Sequence, residues 1–288
     1  MKRLFLMIIP ALICGVTFMN CASKEAKPSG KKTTWELDGL TGKGKPKRVN
    51  TIWYSVITDT LGQLHKEETY NVILKYDEKG QWTEWSNYYK DGGIIGLEIL
   101  EFDSEGNPIE MLVYRQGNIH HRRVFTNDNR GNIIEVYRYD ANDSLFAKSF
   151  HRYDEYDYEI EAYRYSATDS LISKTVSNYD KNGYLIESIV YGNDGSLTTK
   201  TLFMYDNLGN RIERTIYDLD KILIEKTTYK YDEKRFAIEV NTFNSKDNTN
   251  TKITYSYQYD TNDNWVERIE YNDGIAVRII EKNIEYYE

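Results

Sequence analysis

The chain has 288 residues, 26 of them tyrosine and only four proline, a length that accommodates one or two domains with a sizeable core. Tyrosine suits a half-buried pleated surface, so the composition points to a polar β-rich protein and excludes extended disorder beyond the N-terminal segment. Residues 51–288 keep 27 of the 37 basic and 42 of the 45 acidic residues, a net of −15, which repels phosphate backbones and excludes a polynucleotide ligand.

Residues 1–21, MKRLFLMIIPALICGVTFMNC, place Lys2 and Arg3 ahead of an apolar run from Leu4 to Met19. The run is shorter than the roughly 20 residues a spanning helix needs and reads as a signal-peptide core. Cys21 at its end resembles the modified cysteine of bacterial lipoproteins. That resemblance implies lipid attachment at Cys21, the bilayer as a partner, and a periplasmic or cell-surface location in the envelope. Cys14 lies in the same segment, so residues 22–288 have no disulfide or thiol chemistry. Residues 22–46 are expected to form a flexible basic tether, since residues 22–50 hold eight Lys/Arg against three acids.

Residues 47–288 are expected to form one β-repeat domain. Its first elements are the runs KRVNTIWYSVI and LHKEETYNVILKYD, a hairpin ending at Tyr76. From there a mark recurs: Tyr76-Asp77, Phe102-Asp103, Asn127-Asp128, Tyr153-Asp154, Tyr179-Asp180, Tyr205-Asp206, Tyr231-Asp232 and Tyr259-Asp260. Successive spacings are 26, 25, 26, 26, 26, 26 and 28 residues, the signature of a repeat architecture. Each unit contains two strand-length runs separated by turns such as DKNG and GNDG, rich in residues that tolerate tight or left-handed backbone. Short strands joined by short turns pair antiparallel with their sequence neighbours, and no run is long enough for a helix.

A hairpin turn centred between Asn193 and Asp194 would set Glu187 opposite Lys200 and Leu185 opposite Leu202. Glu recurs at 110, 135, 161, 187, 213, 239 and 267, and Lys at 148, 174, 200, 226 and 252. Such ladders stabilise pairing by tenths of a kcal/mol up to about 1. Ile109, Ile134, Ile160, Ile186, Ile212, Ile238 and Val266 immediately precede the Glu column, so they lie on the other face. Arg138, Arg164 and Arg214 interrupt that apolar face. A flat sheet of about 17 strands would exceed the roughly ten that stay open without curling. The expected fold is therefore all-β: a long antiparallel β-meander, curled as a single-layer sheet with its Ile/Leu face inward. Charge on both faces argues against the uncharged outer band of an outer-membrane barrel.

VYRYDAND (136–143), YDNLGNRIE (205–213) and TYKYDEKR (228–235) resemble the YD repeats of RHS-type bacterial proteins, over roughly residues 47–288. Several units lack the Gly of that pattern (YDEYDYE, YDEKRFA, YDTNDNW). The resemblance implies a β-sheet shell. This chain is too short to enclose a toxin domain, so the encapsulating role of that family is not expected to carry over. Membrane-occupation-type repeats are a weaker likeness.

No residue set points to catalysis. Neighbouring Glu-column members would lie roughly 9.5–10 Å apart, two strands from one another, beyond the 5–5.5 Å of a retaining or the 6.5–9.5 Å of an inverting glycosidase pair. His120 and His121 are adjacent, which in a regular strand sends them to opposite faces, and surface or pairing roles are expected for them and for His65 and His151. The acidic turn Asp260–Trp265 lacks the Gly and bidentate Glu of a calcium loop. No metal or cofactor is implied. Tyr139, Tyr165, Tyr191, Tyr217 and Tyr271, with Tyr114 and Phe243, sit four residues beyond the Glu column on its face. Exposed aromatics in a line suit a sugar ring or a protein partner. The expected function is a non-enzymatic envelope scaffold binding a glycan or protein through this Tyr/Glu/Lys face. A structural or secretion-associated assembly component is the alternative, and a glycan-active hydrolase a distant one.

Overall fold

The computed structural model describes Leu40, residues 44–58 and residues 63–288. The signal-peptide expectation, Cys21 included, lies outside the described residues, as does the expected tether apart from Leu40 and residues 44–46. The first half of the fold comprises β1 (Pro46–Thr58), β2 (Leu64–Tyr76), β3 (Trp82–Tyr89), β4 (Ile94–Phe102), β5 (Pro108–Arg115) and β6 (Asn118–Asn127). β7 (Ile133–Asp140), β8 (Leu145–Tyr153), β9 (Glu159–Ser166), β10 (Leu171–Tyr179), β11 (Leu185–Gly192) and β12 (Leu197–Tyr205) follow. The chain ends with β13 (Arg211–Asp218), β14 (Leu223–Tyr231), β15 (Ala237–Asn244), β16 (Thr249–Tyr259), β17 (Trp265–Asn272) and β18 (Ile275–Tyr286).

Each strand pairs antiparallel with the next, and β1 also pairs with β18, from Pro46 opposite Tyr286 to Ser55 opposite Arg278. The expected curled single-layer sheet is therefore corrected to a closed 18-stranded barrel. Closure gives β1 and β18 the ladder hydrogen bonds that an open sheet leaves unmade at its two edges. Eighteen strands at roughly 4.8 Å make a wall on the order of 86 Å round and about 27 Å across.

The Tyr-Asp mark builds the turns at one end of the barrel. Asp180 is representative: its N–H donates to Tyr184 O (2.9 Å), and its C=O accepts from Gly183 N (3.0 Å). Its Oδ1 accepts from the N–H groups of Asn182 and Tyr184, both at 2.9 Å. The turn thus satisfies its own backbone, as Asx turns do. The residue three beyond the Asp adopts positive φ, as at Gly183 (84°) and Gly209 (82°). Leaving such a turn, the chain carries a bulge opposite the tyrosine, between Asn178 and Tyr179 and between Met204 and Tyr205.

The opposite hairpins carry bulges as well, and these correct the expected register. Val190 faces Thr199 and Glu187 faces Leu202, because an irregularity between Val190 and Tyr191 shifts the pairing near the turn. Parity is preserved, so Glu187 and Lys200 keep a common face and meet diagonally at 2.5 Å.

Directly opposed residues share a face, which allows one face to be followed round the ring. It runs through Trp53, Tyr70, Glu98, Val113, Arg123, Arg138, Ser149, Arg164, Thr227, Arg268 and Ile280. The buried Val49, Met111, Val113, Val136, Ala147, Ser149, Thr227 and Ile280 belong to it, as do the buried Glu98 and Glu270. Away from strand ends, Ser86 and Thr215 are the buried residues of the other face. The first face is therefore the inner, crowded one. The Ile column sits in the bulges that follow the Tyr-Asp turns, without directly opposed partners, and Ile109, Ile186 and Ile238 are 37–39% exposed. Leu40 (4% exposed) packs there with Val49 and Tyr76, against Leu74, Trp82 and Ile284, beside the β1–β18 seam.

Candidate functional site: two tyrosine rows and an arginine-lined wall

The tyrosines divide into two populations. Four of the Tyr-Asp mark point inward and bond a backbone carbonyl 20 residues upstream: Tyr153 to Ile133 (2.9 Å), Tyr179 to Glu159 (3.0 Å), Tyr205 to Leu185 (2.9 Å) and Tyr231 to Arg211 (2.7 Å), while Tyr259 bonds Asp232 Oδ2 (2.7 Å). Tyr257 does the same to Ala237 (2.7 Å). Burial pushes the Tyr179 and Tyr257 hydroxyls up to about 12 and raises Tyr153 further. Rings stack between repeats, Tyr158 on Tyr179 and Tyr184 on Tyr205, each at 4.9 Å.

The second population is the outer row beyond the Glu column. Arg122 lies over the Tyr139 ring at 4.3 Å, Phe150 meets Tyr165 edge-on at 5.7 Å, and Tyr271 bonds Ser256 at 3.3 Å. All five of these tyrosines are half-buried. Among the described residues, the hydroxyls of Tyr139, Tyr165, Tyr191 and Tyr217 have no hydrogen-bond partner within the chain. The row is interleaved with ion pairs: Lys174–Glu161 (2.7 Å), Lys200–Glu187 (2.5 Å), Lys226–Glu213 (2.8 Å) and Lys252–Glu239 (2.8 Å). Lysine hydrogen bonds hold these carboxyls below their ordinary range, Glu239 down to about 2 between Lys230 and Lys252. Lys148 departs from the ladder by pairing with Asp169. A wall carrying these charges at mid-strand lacks the apolar belt that a bilayer requires, where each Lys costs about 2–4 kcal/mol at the midplane.

The histidines differ from their expected placement. His120 Nδ1 and His121 Nδ1 approach to 2.8 Å because His120 occupies the bulge between the Val113–His121 and Tyr114–Ile119 pairs. A bulge cancels the strict alternation on which the opposite-face expectation rests. His151 is held on the inner wall between Ser149 Oγ (3.0 Å from Nε2) and Glu159 Oε2 (2.8 Å from Nδ1). The order Ser–His–Glu matches a nucleophile, a base and its orienting group. Ser149 is 5% exposed, and its Oγ already accepts from Arg138 Nη1 at 3.2 Å. The spacing gave no signal for this chain, because Glu159 arrives from the next strand. At the acidic turn, Asp260 Oδ1 accepts from Asn262 and Asn264 N–H groups (2.9 Å each) and Oδ2 from Tyr286 (2.5 Å).

Arginines line the inner wall in two settings. Arg214 pairs with Glu225, Arg268 and Arg278 pair with Glu270 (2.7 and 2.9 Å), and Arg115 stands 3.7 Å from Glu98. Arg123, Arg138 and Arg164 pair with no carboxylate among the described residues.

No protein-family model matches the chain, and no curated protein matches it. The YD-repeat likeness thus rests on the motifs alone. A porin-like protein from Bacteroides uniformis superposes with a TM-score of 0.46 at 10% identity, over 84% of this chain and 98% of that one. A porin-like protein from Bacteroides vulgatus gives 0.32 at 12% identity, over 85% and 99%. The Photorhabdus luminescens Tc holotoxin pore gives 0.29 at 14% identity, over 82% of this chain and 15% of that one. This chain therefore spans only a small part of the Tc chain.

Proposed function

We propose that this chain is a non-enzymatic scaffold of the cell envelope, tethered by a lipid on Cys21, whose outer Tyr/Glu/Lys face binds an extended glycan. The observation that carries the reading is the row of Tyr139, Tyr165, Tyr191 and Tyr217, whose hydroxyls make no hydrogen bond among the described residues, unlike those of the stapling row. Members stand two strands apart, roughly 10 Å, about the length of a disaccharide. Each offers a ring face and a free polar tip, the combination that suits a sugar. The neighbouring Lys and Glu charges neutralise one another, which favours a ligand of low net charge.

A glycan array probed with the full chain tests this, followed by the double variant Tyr191→Ala/Tyr217→Ala. Affinity for the captured glycan should fall at least tenfold with Tm nearly unchanged. No glycan bound, or a large Tm loss, would leave the row as packing and favour the second reading, an assembly component that self-associates or captures an envelope protein through the same face. The Ser149–His151–Glu159 chain supplies a separate check. A fluorophosphonate probe should leave Ser149 unlabelled, and labelling there would replace the non-enzymatic reading with a hydrolytic one.

A further inference from the structure

The inner wall of β6–β9 brings three arginines round a small-residue floor. Arg123 faces Arg138 directly across the β6–β7 pair, and Arg138 faces Ala147 on β8. Ser149, two residues further along β8, faces Arg164 on β9. Ala147 and Ser149 are buried (2% and 5% exposed), covered by the side chains around them. The result is an arginine-lined patch of the inner wall, its cations lying over hydroxyl and methyl groups.

Among the described residues none of the three arginines has an ion-pair partner, and the nearby inner-wall carboxylate of Glu159 is engaged by His151 (2.8 Å). Like charges placed opposite one another across an antiparallel pair destabilise it, and an unpaired buried charge is costly. Arg138 is pulled down to about 10 by burial and by the charges of Arg123 and Arg164. Arg123 keeps a buried Nε without a hydrogen-bond partner. Arg138 donates only to Ser149 Oγ, which the His151–Glu159 pair orients in turn. Elsewhere on the inner wall Arg214, Arg268 and Arg278 have carboxylates beside them, so the lack of one here is a local property of β6–β9.

We propose that this arginine patch is a binding site for an oxyanion, a phosphate or sulfate group carried by a ligand that enters the barrel, held by the guanidinium forks of Arg123, Arg138 and Arg164. Guanidinium presents paired N–H donors that match two oxygens of such a group, and a tetrahedral anion offers enough oxygens for three forks. A small anionic ligand reaches this inner-wall site by way of the bore. A barrel of 16–18 strands is wide enough to leave such a channel. The site is independent of the outer tyrosine row, so either can fail without the other.

The test is calorimetric titration of the full chain with inorganic phosphate, and separately with sulfate, at constant ionic strength set by chloride. Saturable binding with a millimolar or tighter Kd is expected, weakened at least tenfold in Arg138→Gln and in Arg164→Gln. Arg138→Gln removes an uncompensated charge, so without phosphate its Tm should equal or exceed that of the parent. Phosphate should raise the Tm of the parent and leave that of the variant unmoved. Absence of saturable binding to the parent, or equal binding by both variants, would overturn the proposal. If Arg138→Gln fails to fold, Arg164→Gln, whose side chain is exposed, decides the question.

Discussion

Gly209 lies at φ 82° in its Tyr-Asp turn, and a β-carbon there would collide with the Tyr184 hydroxyl of the preceding turn. Gly209→Ala should therefore cost about 1–3 kcal/mol, from left-handed strain and the displaced ring together; urea denaturation measures it. Three units have no glycine at this position and still adopt positive φ, at Asp157 (66°), Arg235 (71°) and Asp263 (60°). Each side chain reaches a neighbouring turn: Asp157 takes Asn132 Nδ2 (2.7 Å), Arg235 donates to Asn210 Oδ1 (2.8 Å) and Leu208 O (3.0 Å), and Asp263 pairs with Lys234 (2.5 Å). Arg235→Gly should thus yield none of the roughly 1 kcal/mol that relief of a left-handed residue offers, with its urea midpoint unchanged or lowered. The glycine pattern and the Asx turns were legible in the sequence because their chemistry is local. The substituted turns were not, because their compensation comes from a different repeat.

For the strands, the period and the common face of the Glu and Lys columns were readable. Register was not: at Gly192–Ser196 the turn centre and a one-residue bulge each move the pairing by one, a total of two that keeps Glu187 and Lys200 on the same side. The ladder makes stability pH-dependent with a definite sign. Glu161, Glu187, Glu213 and Glu239 have folded-state values below the ordinary carboxylate range, Glu239 at about 2. Their stabilisation is complete above the unfolded value, near 4.3, and is lost as pH falls from there towards about 2. Thermal melts should show a Tm plateau above pH 5 and a fall below it. In Glu239→Gln the fall should be shallower and the plateau slightly lower. These pairs are solvent-facing, so the fall should also shrink in high salt.

At the scale of the whole molecule the decisive contact is the seam between β1 and β18, reinforced by Arg48–Glu285 (2.9 Å) and Tyr287 Oη bonding Tyr76 O (2.7 Å). The sequence carried no sign of it. Neither strand bears the Tyr-Asp mark where the two meet, and strands so far apart in the chain leave no local pattern when they pair. Removing residues 275–288 should expose the free edges of β1 and β17. Light scattering should then find the truncated chain self-associated and the parent monodisperse; a monodisperse truncation would show that closure is dispensable. The arginine patch was half legible. Arg138 and Arg164 stood out in the sequence as interruptions of an apolar face, but their relation to Ala147 and Ser149 needs β8 between β7 and β9.

One property follows from the equivalence of the joints. Each 26-residue unit contributes two staves and one identical corner, and its links to the units on either side repeat from copy to copy. Duplicating or deleting a whole copy alters the calibre of the tube by two staves while leaving every remaining joint as it was. Relatives with different copy numbers are therefore expected to differ in what their interior admits, with unit count acting as a coarse size selector that needs no change to any single side chain.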